Sequence, residues 1–265
     1  MDRRTAIAVH GASGRMGQAI LHIVFARADV IPVAALVRSE SLLAGTSLAR
    51  GFGDVAADLM YTTTLSASSA PDVLVDFSLP TAFDSALACA LERKIAFVSG
   101  TTGLDDRQQT ALARAAESIP VLWSANFSLG IALLSRLVAQ AARALPDWDC
   151  EIAEAHHSAK KDAPSGTARA LGREVAVARG ADFDTVASLR ESALRSSGSI
   201  GFAVTRAGDI VGEHTVLFAT SGERIELVHR ATDRMIFARG AVTAARWLAH
   251  KPKGRYALAD VLTGA

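Results

Sequence analysis

The segment Val9-His-Gly11-Ala-Ser-Gly14-Arg-Met-Gly17 constrains this chain more than any other stretch. It follows a short apolar run, Thr5 to Val9, and precedes a stretch from Arg15 to about Ala28 that can be helical. Gly11 permits a tight turn. Gly14 lets backbone approach a pyrophosphate closely, and Gly17 lets the helix lie against the strand. The helix start then offers N–H groups and a positive dipole end to phosphate. The spacing is GxxGxxG rather than GxGxxG, because residue 13 is Ser. Glycines at this spacing also occur in turns that bind nothing. The dinucleotide reading is favoured by context: near residue 10, after a strand, before a helix, inside a βαβ pattern.

That pattern continues. Val30 to Val37, Asp72 to Phe77, Ile95 to Val98 and Val121 to Trp123 are short apolar runs. They read as strands buried on both faces. Thr81 to Arg93 and Leu104 to Ser118 read as helices between them. The alternation implies a parallel sheet with helices on both faces. The second half differs. A long apolar helix, Ile131 to Leu145, leads into a strand from Trp148 to His157, and a helix follows from about Ser165 to Arg179. Three strand candidates come next: Ile200 to Arg206, Ile210 to Ala219 and Arg224 to Arg230. Gly-containing connections separate them, as in a meander. Asp182 to Gly198, rich in Ser and charge, is expected to be a mobile loop. The last helix, about Met235 to Ala249, is expected to pack back on the first domain. The fold class is therefore α/β. A Rossmann-type parallel sheet (1–127 and 235–265) binds dinucleotide. A smaller α+β domain with an open mixed sheet (128–234) is expected to bind substrate.

Composition narrows the function. Half of the 265 residues are hydrophobic, and 28 Lys plus Arg balance 27 Asp plus Glu. Disordered chains are polar and charge-imbalanced, so disorder is excluded. No net basic field exists to attract nucleic acid. Cys89 and Cys150 show no CxxC spacing, which argues against a disulfide framework or a zinc site. The basic start is followed by too few apolar residues for a signal-peptide core. The longest apolar run has eight residues and contains Pro32, too little to span a bilayer. A soluble cytoplasmic protein without a membrane partner is expected.

The second strand decides the cofactor. An acid some twenty residues after the glycines would hold the adenosine ribose 2′-OH. Here Val37 takes that place and Arg38 follows. Without the acid nothing repels a 2′-phosphate, and a guanidinium can pair with it. NADPH is therefore expected to be preferred, with NADH usable and Arg15 assisting. In the alternative, Arg38 is simply solvated and Glu40 reaches the ribose. Gly100-Thr101-Thr102-Gly103 and Ser124-Ala125-Asn126-Phe127 sit at carboxyl ends of strands, where α/β sheets collect ligands. Small residues there let a nicotinamide ring lie near backbone, and Asn126 is a candidate partner for its carboxamide or ribose.

The most informative stretch runs Glu151-Ile-Ala-Glu154-Ala-His156-His157-Ser-Ala-Lys160-Lys161-Asp162-Ala-Pro164-Ser165-Gly166-Thr167. Neighbouring side chains on a strand diverge, so His156 and His157 do not share one metal. Pro164 suits a first helical turn, and Asp162 or Ser165 can cap it. The N–H groups of Gly166 and Thr167 then form a carboxylate site at a helix start. Two imidazoles, an ammonium and an anion site together suit a small dianionic substrate that must receive a proton. No third ligand stands at suitable spacing for a metal, so no metal is expected.

With these residues in place, the sequence resembles the 4-hydroxy-tetrahydrodipicolinate reductase (dihydrodipicolinate reductase) family of lysine and diaminopimelate biosynthesis. The resemblance covers essentially the whole chain. It rests on Gly11 to Gly17, Asp76-Phe-Ser78, Ser99 to Gly103, Ala125 to Ser128, Glu154 to Lys160, Lys161 to Thr167, Ile200 to Ala203, Arg206 to Thr215 and Phe237 to Ala241. It implies His156 as general acid/base, Lys160 as proton donor and His157 as a substrate contact, with Gly166 and Thr167 on a substrate carboxylate. It places Gly11, Ala12, Ser13, Gly14, Arg15, Met16, Gly100, Thr101, Thr102, Ser124, Ala125, Asn126 and Phe127 along the cofactor, and implies a homotetramer in which the 128–234 domain mediates oligomerisation through its sheet. The implied reaction is hydride transfer from a reduced nicotinamide to a cyclic unsaturated imine dicarboxylate, with protonation of the adjacent carbon and loss of the 4-hydroxyl as water. Another two-domain amino-acid or hydroxy-acid dehydrogenase is one rival reading. A sensor that binds NADPH without turning it over is another, and it would not need His156 and Lys160 together.

Overall fold

The computed structural model describes residues 3–190 and 194–263. Strand β1 (Thr5–His10) leads through the glycine turn into α1 (Arg15–Ala26) and β2 (Val30–Leu36). A short helix α2 (Ala49–Phe52) and strand β3 (Tyr61–Thr62) precede β4 (Val73–Asp76). Then come α3 (Pro80–Arg93), β5 (Ala96–Ser99), α4 (Asp106–Ala115) and β6 (Pro120–Trp123). Pro80 sits at the start of α3, where its missing N–H costs nothing. Helix α4 begins after Leu104 because Asp105 and Gln108 form a reciprocal capping box.

The chain then leaves this unit. Helix α5 (Leu129–Ala144), β7 (Asp149–His156) and α6 (Gly166–Ala178) are followed by α7 (Phe183–Val186), β8 (Ala187–Leu189), β9 (Ile200–Arg206), β10 (Gly212–Thr220) and β11 (Glu223–Ala231). It returns with α8 (Met235–Leu248) and β12 (Gly254–Tyr256). Two compact units result, Met1–Phe127 with Met235–Ala265, and Ser128–Arg234.

The first unit is a parallel seven-stranded sheet in the order β12-β6-β5-β4-β1-β2-β3. Its central strands are buried on both faces, as their unbroken apolar runs require. Pro32 is tolerated because the β1–β2 register shifts there, so its missing N–H falls at an irregularity. Phe83, Phe97, Leu74, Leu112 and Val121 belong to its core. Helix α8 packs on β4, β5, β6 and α1. The edge strands β3 and β12 are only two and three residues long and carry no readable pattern.

The second unit is a mixed five-stranded sheet in the order β11-β10-β7-β9-β8. Its core includes Leu134, Val138, Ile152, Leu171, Val175, Phe202 and Phe218. The meander expectation holds only for β10 and β11, which pair antiparallel. Strand β9 pairs parallel with β7, and β10 pairs antiparallel with β7 on its other side. The connection after β9 crosses the end of β7, with the Ala207 N–H donating to the His156 carbonyl and the Ser158 N–H to that of Gly208.

The expected mobile loop from Asp182 is also corrected. Its first part forms α7 and edge strand β8. Phe183 is buried against the Phe202 ring with Arg169 and Arg173 over its face. Beyond β8, Arg190 and Arg195 pair with Glu151. One buried ring and these ion pairs hold a sequence whose polarity suggested none. Residues 191–193 of that loop lie outside the described residues.

Candidate active site

In the first unit the glycines are fixed by backbone geometry. Gly11 has φ +77°, and a Cβ there would lie 2.5 Å from the Phe77 carbonyl oxygen. A Cβ on Gly17 would lie 2.2 Å from the Gly11 oxygen, so α1 can approach β1 only without one. Gly14 is the residue before α1, and no side chain caps this helix. A Cβ on Gly14 would meet only the Gly11 oxygen, at 3.2 Å. This cradle, with an uncapped helix start beside it, fits a pyrophosphate. Ser13 and Arg15 are exposed and Met16 is half-buried. Ala12 is buried and its N–H donates to the Leu36 carbonyl.

At the end of β2, Val37 is 4% exposed and faces the core, while Arg38 is exposed. Exposed Glu40 accepts from the Ser39 hydroxyl at 2.7 Å, a bond that, with Arg38 contributing further down, holds its carboxyl below the usual range.

Buried Asp76 links three strand ends. It meets His10 Nδ1 at 2.8 Å, and accepts from Ser99 Oγ at 2.9 Å and Thr101 Oγ1 at 2.7 Å. Burial pushes its carboxyl up, but bonds from His10, Ser78 and Thr101 outweigh that and hold it low. Sequence reasoning assigned neither His10 nor Asp76 a role. Strands β4 and β5 end in Asp76 and Ser99 at the same sheet edge; in sequence, an acid within one apolar run and a hydroxyl just after the next carry the signal. Thr101 thus spends its hydroxyl on Asp76, and Thr102 is exposed. Gly100 is required by the Phe77 ring, 2.2 Å from where a Cβ would stand. Ser124 Oγ donates to the Asn126 carbonyl and accepts from the Asn126 N–H, while Ala125 is exposed. The Phe127 side chain is buried against Phe77, so its main chain alone remains for a ligand.

In the second unit β7 supplies the chemistry. Glu154 and His156 lie two residues apart and share its core-facing side. Register places His214 on β10 opposite Glu154, and Arg206 on β9 opposite His156. The Glu154 side chain is fully buried. Its Oε2 meets His156 Nδ1 at 2.5 Å, and both oxygens accept from Arg206 at 2.8 Å. Oε1 also accepts from the Ser165 N–H at 3.0 Å. Burial would raise the Glu154 carboxyl; Arg206, His156 and the Ser165 amide outweigh it and hold it ionised. Burial lowers the His156 pKa, and Lys160 and Arg206 add to that against Glu154. His156 is therefore neutral near pH 7, with its Nδ1 hydrogen on Glu154. A Cβ on Gly212 would lie 3.1 Å from His156 Nε2.

Helix α6 starts here. Ser165 caps it by accepting from the Ala168 N–H at 3.2 Å, and Gly166 and Thr167 form its first turn. Pro164 stands before the cap rather than in the first turn, and Asp162 is not the cap. The Asp162 carboxylate instead meets Lys160 Nζ at 2.8 Å. Lys160 is pinned near the helix start by this pair. His157, half-buried, follows the last residue of β7, off the face that carries His156. Buried His214 meets Ser165 Oγ at 3.2 Å and the His156 ring at 5.2 Å. Glu154, Arg206 and His214 were not singled out from sequence; Arg206 lies 52 positions from Glu154 and His214 lies 49 from Ser165. Among the described residues no three His, Cys, Asp or Glu side chains converge as a metal site, and no helix is long and apolar enough to cross a membrane.

Comparisons with known proteins agree over both units. Residues 5–127 match the family model "Dihydrodipicolinate reductase, N-terminus" and residues 130–262 that of its C-terminus. The chain is 47% identical over 254 residues to a 4-hydroxy-tetrahydrodipicolinate reductase of Stenotrophomonas maltophilia, covering 96% of each chain. It is 44% identical to one from Pseudoalteromonas atlantica, covering 97% of this chain and 98% of that one. In fold it is similar to a dipicolinate-bound dihydrodipicolinate reductase from Paenisporosarcina sp. TG-14, with TM-score 0.79 and 24% identity over 97% of this chain and 99% of the other.

Proposed function

The chain belongs to the dihydrodipicolinate reductase family, and from that premise we propose that His156 and Lys160 carry the proton chemistry of its reaction. The protein is an NAD(P)H-dependent oxidoreductase that reduces 4-hydroxy-tetrahydrodipicolinate in lysine and diaminopimelate biosynthesis. A bound reduced nicotinamide supplies the hydride. The glycine cradle Gly11 to Met16 would hold its pyrophosphate, with Gly100 to Thr102 and Ser124 to Phe127 bordering the rest of the cofactor.

In this reading the Gly166 and Thr167 amides and His157 take the substrate's carboxylates. Lys160, tied to Asp162, places an ammonium where negative charge builds on the conjugated ring, lowers that charge's energy and donates the proton to carbon. His156 assists as acid/base through Nε2. The observation that carries this is the shared location of the Glu154-held imidazole, the Lys160 ammonium and the helix start. NADPH is preferred over NADH, supported by buried Val37 and exposed Arg38 at the end of β2. The protein works in the cytoplasm as a homotetramer; Ile225 and Val228, exposed on edge strand β11, support association through that strand, and light scattering measures the assembly.

The test follows reduced-nicotinamide absorbance with freshly generated 4-hydroxy-tetrahydrodipicolinate. Lys160→Ala and His156→Gln each lower turnover by about 10²–10⁴-fold, with NADPH binding nearly intact. Normal turnover in either variant removes that residue from the mechanism.

A further inference from the structure

The two halves of the substrate chemistry, an acid/base ring and an anion-binding helix start, lie on different elements, yet one side chain touches both. Glu154 reaches the His156 ring with Oε2 and the Ser165 amide, the residue before α6, with Oε1. Arg206 spans both oxygens in a fork. A carboxylate so placed has no solvent to screen it, so its hydrogen bonds are strong and its geometry is fixed.

We propose that Glu154 is a positioning residue for proton transfer: it holds His156 with its hydrogen on Nδ1, which presents Nε2 for acid/base work, and sets the spacing between that ring and the helix start. The proposal rests on the reading that His156 and the start of α6 serve the substrate. Which ring nitrogen carries the proton is decided by the partner of the other. Here an anion at 2.5 Å accepts at Nδ1. Arg206 completes the device by keeping Glu154 anionic in a buried place, where a lone carboxylate would take up a proton. The charged and titratable groups around His156 are Glu154, Arg206, Lys160 and His214. Gly212 leaves room for the ring on its Nε2 side.

Glutamine at this position keeps the shape but not the pattern. Both the imidazole Nδ1–H and the Ser165 N–H need an acceptor, and an amide oxygen turned to one leaves an NH₂ facing the other. If the NH₂ faces the ring, the His156 hydrogen moves to Nε2. If it faces Ser165, the helix start loses its tether. Loss of the negative charge also removes what raises the His156 pKa, so the acid limb of the rate profile moves down in pH.

The experiment compares wild type, Glu154→Gln and His156→Gln as full chains. In Glu154→Gln, kcat falls by about 10²-fold, the acid limb shifts to lower pH, and KM for NADPH stays within twofold. Nitrogen-15 NMR of the seven histidines, with His156 assigned by its loss in His156→Gln, shows the hydrogen on Nδ1 in wild type and on Nε2 in Glu154→Gln. A Glu154→Gln enzyme with wild-type kcat and pH profile overturns the proposal. If that variant does not fold, the wild-type spectrum alone decides: an Nε2–H form at pH 7 overturns the proposal, and an Nδ1–H form supports it. Normal turnover in His156→Gln defeats the underlying reading instead, whatever Glu154→Gln does.

Discussion

At the residue scale, the proposed preference for NADPH rests on one charge at one strand end. Arg38 is exposed at the end of β2, and its neighbour Val37 turns inward. A 2′-phosphate carries about two negative charges that a guanidinium can meet bidentately. Arg38→Ala is therefore expected to raise KM for NADPH by about tenfold, the equivalent of roughly 1.4 kcal/mol, with little change for NADH. Steady-state kinetics with both cofactors measures it, and an equal loss for both would show that Arg38 is a solvated bystander. What points to Arg38 in the sequence is local: a missing acid, then a base. Glu154 sits in the same motif as His156, yet nothing local in the sequence marks its role. Its partners come from three other places, Ser165, Arg206 and the end of its own strand. A buried carboxylate is indistinguishable from a surface one until those partners are known.

At the scale of elements, two glycines within seven residues of β1 do different jobs. Gly17 exists for packing, since a Cβ would press to 2.2 Å on the Gly11 carbonyl. Gly14 stands open apart from a 3.2 Å approach to the same atom. Gly17→Ala is expected to destabilise the first unit by about 1–3 kcal/mol through overpacking. Gly14→Ala is expected to cost under about 1 kcal/mol of stability yet to raise KM for NADPH markedly, because its methyl projects where phosphate approaches. Thermal unfolding beside cofactor kinetics separates the two; equal destabilisation would defeat the distinction. Elements marked by an unbroken run of strand-forming residues were readable within a residue or two, as at β1, β5 and β9. The exceptions have physical causes. Strands β3 and β12 are too short for a pattern. Alternating patterns show that β9 and β10 are strands, but not that β7 lies between them, because pairing partners are a tertiary choice.

At the scale of the whole molecule, the balance of 28 basic against 27 acidic residues leaves little self-repulsion near neutral pH. Acid sensitivity must then come from a few buried groups, and His214 leads them. Burial, with His156 next, lowers its pKa to about 4 from an ordinary 6.5. The folded state thus resists its protonation while the unfolded chain accepts it. Its contribution is fully present above pH 6.5 and is lost progressively as pH falls toward 4, by up to roughly 3 kcal/mol. Urea unfolding in that window shows a shallower decline for His214→Gln than for wild type; parallel declines would remove His214 as the cause. The two-unit organisation was legible as a change of texture near residue 128, where strand–helix alternation gives way to strands in succession. The second unit is one unbroken stretch, whereas the first is assembled from both ends of the chain. On a ribosome adding about 5–20 residues per second, the stretch ending at Arg234 is complete while α8 and β12 are still unmade. The seven-stranded sheet, though begun first, is finished last, and until β12 is made its β6 edge has no partner strand.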